Sequence, residues 1–461
     1  IITLYILSKT KTSFVCQNCG YSSPRWTGKC PSCEQWNTFE EILLEPRRLK
    51  SGKTISDKSV KDKIQTLEHI IHEDNGNRNP TKISELDRVL GGGIVNGSVI
   101  LIGGDPGIGK STLMLQIASN LNGKKFLYVS GEESASQIKM RADRLGVKVN
   151  NFFVLSETNL DTVHSAIEIE KPDYVVVDSI QTVYLPELES SPGTVSQLRE
   201  STSYLIKIAK TTNIPVFIVG HITKDGTIAG PKVIEHMVDV VLQFEGERTH
   251  FYRILRGIKN RFGSTNEIGI FEMTEKGLKE VLNPSEVFLS QRNYGASGCV
   301  ISSAIEGTRP ILIEVQALVA STSYGVPQRT AMGFDYKRLS ILNAVIEKKL
   351  GLFLNKHDVF LNIAGGVKID ETAVDLAAAM SIYSSAKDIP VDSETVIIGE
   401  VGLAGEIRTI SSVEKRINEA EKLGFKRIIL PKNNLKHLNF KRYKIEIVGV
   451  EKIKDAVSVL I

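Results

Sequence analysis

Residues 104–111, Gly-Asp-Pro-Gly-Ile-Gly-Lys-Ser, satisfy the phosphate-binding pattern G-x-x-x-x-G-K-[ST] at every fixed position. Gly104, Gly107 and Gly109 let the backbone curl so that successive N–H groups point at phosphate oxygens, with Asp105, Pro106 and Ile108 completing the loop. Lys110 is expected to reach the β- and γ-phosphates and Ser111 to hold Mg²⁺, while Thr112 continues into a helix whose N-terminus favours anions. The pattern implies ATP or GTP as ligand.

Four further groups could do chemistry. Val175-Val176-Val177-Asp178 ends a strand on a carboxylate, and Asp178 there can hold the Mg²⁺ shell through water. The run Ser130-Gly131-Glu132-Glu133 puts carboxylates after another strand; Glu132 is preferred over Glu133 as the group that orients and deprotonates the attacking water, the other being a helix-start residue. His221 closes a later strand, where it would sense the γ-phosphate or serve as a hydrogen-bonded structural residue. Lys259-Asn260-Arg261-Phe262-Gly263 sets two cations around an Asn; in a ring of ATPases they can act as arginine fingers on a neighbour's nucleotide, and otherwise they form a basic loop. Separately, Cys16, Cys19, Cys30 and Cys33 form two C-x-x-C pairs ten residues apart, the spacing of a four-thiolate structural Zn²⁺ site whose metal supplies folding energy. Trp26 and Trp36, the only tryptophans, would pack around that metal or stack on bases. Cys299 stands alone and is expected to be a small buried hydrophobe.

The elements that must position these residues alternate. Ser98–Ile102 reads as a strand and Thr112–Ala118 as a helix. Strands Lys125–Ser130, Phe152–Leu155, Tyr174–Asp178, Pro215–Gly220 and Val238–Phe244 follow, with helices near Ser136–Leu145, Asp161–Glu170 and Thr194–Thr211. Short continuous apolar strands separated by helices predict an α/β fold with a parallel sheet covered on both faces. The reading divides the chain into a zinc finger at 1–40, a linker at 41–80, an ATPase domain at 81–280 and a second α/β domain at 285–461. The linker holds seven basic and four acidic side chains between Glu41 and Lys63, with a short amphipathic helix near Ile64–Ile71.

The bulk numbers narrow the class. The 461 residues are 41% hydrophobic and 24% charged, as in a soluble globular protein, and the net charge of +4 is too small to argue for nucleic acid by itself. No run of 18 apolar residues exists, so no membrane span is expected. Ile1–Leu7 lacks the basic flank of a signal peptide. A cytoplasmic location is expected.

At this point the chain resembles the bacterial RadA (Sms) family of RecA-like DNA repair and recombination ATPases. The likeness is carried by Cys-Gly-Tyr-x-Ser-Pro-x-Trp at 19–26, Glu85-Leu86-Asp87-Arg88-Val89-Leu90-Gly91-Gly92-Gly93, the 104–111 loop, Ser130–Ser134, Val219–Lys224 and the family's signature motif at Lys259–Gly263. The resemblance implies a RecA-like core, ATP, Mg²⁺ and Zn²⁺ as cofactors, and a homo-oligomer, most simply a hexameric ring. It also implies branch migration of recombination intermediates by ATP-driven movement on single-stranded DNA, with RecA recombinase as a partner. Lys259 and Arg261 would contact a neighbour's nucleotide, and Glu132 would activate water. Loops after Asp178, with Tyr184 as a stacking candidate, and after His221, with Lys224 and Lys232, would present DNA contacts that are salt-sensitive. The C-terminal region resembles the Lon proteolytic domain (ribosomal S5 domain 2-like) through Gly399–Arg408 and Glu371–Met380. Ala377 stands in place of its nucleophile and Glu414 in place of its Lys, so a proteolytically inactive scaffold is expected. The alternatives are an ATP-dependent protease and a nucleotide-switched assembly module of the KaiC type.

Overall fold

Apolar runs without polar alternation are satisfied only between two layers. The computed structural model shows where those layers lie; it describes residues 11–16, 21–31, 34–44, 78–147, 151–221, 233–246, 252–289, 295–322, 325–366 and 368–460. Cys19, Cys33, Lys224, Lys232 and the expected helix near Ile64–Ile71 lie outside the described residues. The chain forms two units: one of residues 1–245, 257–264 and 274–278, the other of 246–256, 265–273 and 279–461.

The first unit opens with a small antiparallel sheet of β1 (Lys11–Cys16), β2 (Ser22–Ser23) and β3 (Phe39–Leu44), β1 lying in the middle. Its main sheet comprises β4 (Val99–Gly104), β5 (Phe126–Ser130), β6 (Phe152–Ser156), β7 (Tyr174–Asp178), β8 (Val216–His221) and β9 (Val240–Glu245). These strands are parallel and ordered β9-β4-β8-β7-β5-β6. Helices α1 (Ser84–Leu90), α2 (Lys110–Asn120), α3 (Ala135–Arg144), α4 (Leu160–Glu170), α5 (Val195–Thr212) and α6 (Val233–Met237) complete the unit. One core layer joins Val99, Leu101, Val175 and Val177 of the sheet to Leu160, Val163, Leu198 and Leu205 of α4 and α5. Helices start where their caps say they should: Ser134 and Gln137 form a capping box on α3, and Thr194 caps α5.

Register decides what this sheet can do. Gly104 pairs with His221, Asp178 with Val219, and Ser130 with Asp178. The carboxyl ends of four strands therefore lie side by side at one edge, where an open α/β sheet binds ligands.

The second unit includes the antiparallel pairing of β10 (Tyr252–Asn260) with β11 (Ile268–Thr274) through residues 252–256; β12 (Gly277–Glu280) follows in sequence. Its main sheet is ordered β15-β16-β14-β13-β17-β20-β21 and is mixed in direction. The strands are β13 (Cys299–Glu306), β14 (Arg309–Ser321), β15 (Arg329–Met332), β16 (His357–Ile363), β17 (Thr395–Ile397), β20 (Arg427–Pro431) and β21 (Glu446–Val450), with a separate ribbon of β18 (Glu400–Val401) and β19 (Ile407–Arg408). Helices α7 (Pro284–Leu289), α8 (Tyr336–Leu350), α9 (Asp375–Lys387), α10 (Val413–Lys422) and α11 (Ile453–Leu460) pack on it. Alternation along β14 feeds two cores: Ile311, Ile313 and Val315 face one with Leu339 and Ala377, and Leu312 faces the other with Ile398, Ile417 and Leu430.

Ala377 is thus fully buried within α9 and carries only a methyl group, while Glu414 is exposed in the first turn of α10. Cys299 is partly exposed rather than buried; burial and the neighbouring Glu314 carboxylate push its thiol up to about 11. Among the described residues of this unit, two ion pairs each contain a fully buried charged side chain. Arg416, fully buried, reaches Glu371 and the Ser303 carbonyl, and Arg338 holds the fully buried Asp375, which also accepts from the Val401 amide at 3.2 Å. Removing one partner strands the other. Asp375→Ala is expected to cost about 3 kcal/mol, read as a lower urea midpoint of the full chain; an unchanged midpoint would refute a structural role for the pair.

Candidate functional site

The glycine loop leaves β4 at Gly104 and enters α2 at Lys110. Gly107 and Gly109 sit at φ +81° and +123°, a region that a side chain would strain. The first-turn amides of α2 have no intrahelical acceptor, and no side chain caps them. A loop of this geometry can cradle an anion. Lys110 is buried, and its Nζ donates to the carbonyls of Gly104 (2.7 Å) and Asp105 (3.0 Å). Burial lowers its pKa, and the nearby carboxylates of Asp178, Asp105 and Glu132 offset this only in part.

Asp178 closes β7 across from the loop. Its Oδ2 accepts from Ser111 Oγ at 2.7 Å and from the Tyr128 hydroxyl. A hydroxyl and a carboxylate joined in this way are a donor set of the kind that holds Mg²⁺ beside a triphosphate, so the residues present fit that ion.

The next strand end separates the two glutamates. The Ser130 hydroxyl accepts from the Glu133 amide (3.0 Å) and donates to the Glu133 carbonyl (2.7 Å), folding 131–133 into a turn. Gly131 is required inside it, because a Cβ there would lie 2.0 Å from Thr182 Oγ1. The turn sends Glu133 to a two-pronged ion pair with Arg141 of α3. Glu132 goes the other way: its Oε1 accepts from Ser179 Oγ at 2.6 Å and lies 3.2 Å from His221 Nε2. Burial would raise the Glu132 pKa, but the Ser179 hydrogen bond, His221 and Lys110 outweigh it and hold the carboxyl below its usual range. It is ionised at neutral pH and able to accept a proton from water. Lys110, Ser111, Glu132, Asp178 and His221 form one cluster.

Lys259 and Arg261 are elsewhere. Arg261 donates its amide to the Asp239 carbonyl (3.1 Å) and places its guanidinium 3.6 Å from the Asp239 carboxylate, which also takes the Val99 amide (3.0 Å) and Lys210 (2.9 Å). Val99 begins β4 and Gly104 ends it. At about 3.3 Å per residue the two cations stand about 17 Å of strand from the glycine loop. Lys259 Nζ donates to the carbonyls of Glu235 (3.1 Å), His236 (2.8 Å) and Val238 (2.8 Å) at the end of α6. Asn260 donates to the Val89 carbonyl at 3.2 Å, and Arg78 bridges the carbonyls of Leu90 and Phe262, so the 259–263 segment is docked on the 85–93 turn.

In the N-terminal sheet, the Cys16 amide donates to the Tyr21 carbonyl (2.8 Å) and the Cys30 amide to the Gln35 carbonyl (2.9 Å), the same five-residue step at each C-x-x-C pair. Cys16 and Cys30 are fully buried. Two buried thiols whose amides make matching backbone bonds fit half of a four-thiolate Zn²⁺ site. Trp26 and Trp36 are 54% and 69% exposed, and both rings lie beside Gly28. Tyr184 is half-buried, and the segment after Asp178 carries Glu187 and Glu189 with no Lys or Arg before Arg199.

Sheet order, glycine loop and flanking carboxylates define a RecA-like P-loop ATPase. Residues 79–163 match the KaiC ATPase family, 14–41 the rubredoxin metal binding domain, and 325–434 subunit ChlI of Mg-chelatase, the last giving the Lon-like C-terminal fold. The chain is 54% identical to the DNA repair protein RadA of Bacillus subtilis over 98% of each chain. It is 54% identical to that of Listeria monocytogenes, again over 98% of each, and 51% to that of Halalkalibacterium halodurans over 98% of this chain and 99% of the relative. This chain belongs to the RadA family of DNA repair proteins. A solved RadB recombinase is 25% identical and covers 44% of this chain and 98% of its own, with a TM-score of 0.35, too low to carry weight. No helix among the described residues is long and apolar enough to cross a membrane.

Exchange of the two glutamates separates their roles. Glu132→Gln is expected to slow nucleotide hydrolysis by about 10²-fold or more with nucleotide binding retained. Glu133→Gln, which loses a half-exposed ion pair, should cost about 1 kcal/mol or less and leave the rate within a few-fold. The reverse pattern in steady-state assays would assign the proton acceptor to Glu133.

Proposed function

We propose that this chain is a DNA-dependent ATPase of recombinational repair that moves on single-stranded DNA and drives branch migration. It works as a ring, most simply a hexamer, in which Lys259 and Arg261 of one copy act at the nucleotide of the next. The observation that supports this best is the separation of charges along β4: the glycine loop, Asp178 and Glu132 occupy the carboxyl edge, while exposed Arg261 sits at the amino edge, beyond reach of its own loop.

In this reading the loop amides and Lys110 bind the phosphates, and Ser111 and Asp178 hold Mg²⁺, which neutralises charge developing on the phosphoryl oxygens. Glu132, aligned by Ser179 and His221, takes the proton from the attacking water. His221, at the end of β8, links that carboxylate to the 222–232 segment with Lys224 and Lys232, the candidate DNA contacts. With Glu187 and Glu189 in the segment after Asp178, DNA contact is assigned to the later segment. The four cysteines hold a structural Zn²⁺, the Lon-like unit is an inactive scaffold, since buried Ala377 offers no nucleophile, and RecA recombinase is the expected partner.

Two measurements test this. Steady-state ATP hydrolysis should rise severalfold with single-stranded DNA and lose that stimulation as salt increases; indifference to DNA would favour the switch reading. Lys110→Ala and Arg261→Ala should each be inactive, yet an equal mixture should recover about a quarter of wild-type activity, because about that fraction of interfaces pairs an intact loop with an intact arginine in trans. Failure of the mixture to recover, with mixed assembly shown by cross-linking, would remove Arg261 from the neighbour's site.

A further inference from the structure

We propose that Tyr128 is a positioning residue for Asp178: its phenol hydroxyl fixes the carboxylate that, with Ser111, holds the metal. This rests on the assignment of Ser111 and Asp178 as the Mg²⁺ pair. Tyr128 lies on β5 opposite Val176 of β7, two residues before Asp178, so its side chain runs along the sheet face toward the strand ends. It is 1% exposed, and its hydroxyl donates to Asp178 Oδ2, the oxygen that also accepts from Ser111. The ring is gripped by aromatic neighbours: Phe152 lies 5.6 Å away at 37°, and Phe126 stacks on Tyr174 at 4.7 Å in the same layer. A ring held in this way cannot swing its hydroxyl elsewhere.

Neighbouring β5 positions are filled by Phe126, Leu127 and Val129, all buried, and a phenylalanine would fill the Tyr128 site equally well. A hydroxyl placed there is costly unless it is bonded. The Tyr128 hydroxyl meets the Asp178 carboxylate and the Ser111 hydroxyl, both at the nucleotide edge. Two donors on one oxygen set the plane of that carboxylate. Groups that orient metal-holding side chains commonly change metal affinity by about 10–100-fold when removed.

The test is Tyr128→Phe in the full chain, with Tyr174→Phe as control. The control removes a hydroxyl from the same aromatic layer, and among the described residues Tyr174 makes no hydrogen bond to Asp178 or Ser111. Binding of a fluorescent ATP analogue is titrated with Mg²⁺, and the titration is repeated with Mn²⁺ followed by electron paramagnetic resonance. Wild type must first show Mg²⁺-dependent binding; if it does not, the assignment of Ser111 and Asp178 fails, whatever Tyr128 does. The expected result is a half-saturating Mg²⁺ concentration raised about ten-fold in Tyr128→Phe, unchanged in Tyr174→Phe, with metal-free nucleotide binding in EDTA equal in all three. That last measurement shows that the variant is folded. An unshifted Mg²⁺ curve in Tyr128→Phe overturns the proposal, and so does an equal shift in both variants, which would trace the effect to aromatic packing.

Discussion

The carboxylate of Asp178 is the point on which the nucleotide edge of the first unit depends. It joins Ser111, at the start of the helix that follows the glycine loop, to Tyr128 on another strand. Its backbone carbonyl takes the Gly131 amide at 2.9 Å, anchoring the turn that aims Glu132. Three chain segments distant in sequence are thereby held relative to one another. The junction forms only because the parallel ladder aligns Ser130 with Asp178 and Gly104 with His221. A slip of one residue between β5 and β7 would put the carboxylate and the Tyr128 side chain on opposite faces of the sheet.

Much of this was legible in the residues. The glycine loop declares itself because its backbone geometry tolerates few residue types, and the apolar strands declare themselves because burial on both faces leaves no polar alternation. The choice between Glu132 and Glu133 could be guessed but not argued, since it turns on Arg141, two helical turns further on. Tyr128 was invisible as a site residue. In a strand reading Phe-Leu-Tyr-Val an aromatic counts as core, and only the register reveals what its hydroxyl meets. The 259–263 segment was recognisable as a motif, yet its place at the far end of β4 follows from the pairing of Asp239 with Val99, which no local pattern announces.

The second unit shows the complementary lesson. Its core follows the alternation of β14 closely, but the buried charges Arg416 and Asp375 could not be anticipated from periodicity. Arg416 lies on α10, where Val413, Ile417 and Ala420 mark the apolar face. Its guanidinium is tolerated among them because Glu371 and main-chain carbonyls surround it. Charge in that place ties a helix to the middle of β13 and to Glu371 through directional bonds, which apolar contact alone does not do.

The two ends of β4 carry unlike equipment, carboxylates and a glycine loop at one end and an exposed guanidinium paired with Asp239 at the other. Copies of such a body that meet end to opposite end have a direction, as a row of arrows does. No two-fold axis can relate them, and the contact each makes with the next is left open at the last copy unless the row bends round on itself. The tilt between successive copies, rather than any residue in the nucleotide edge, then fixes how many copies close the circle.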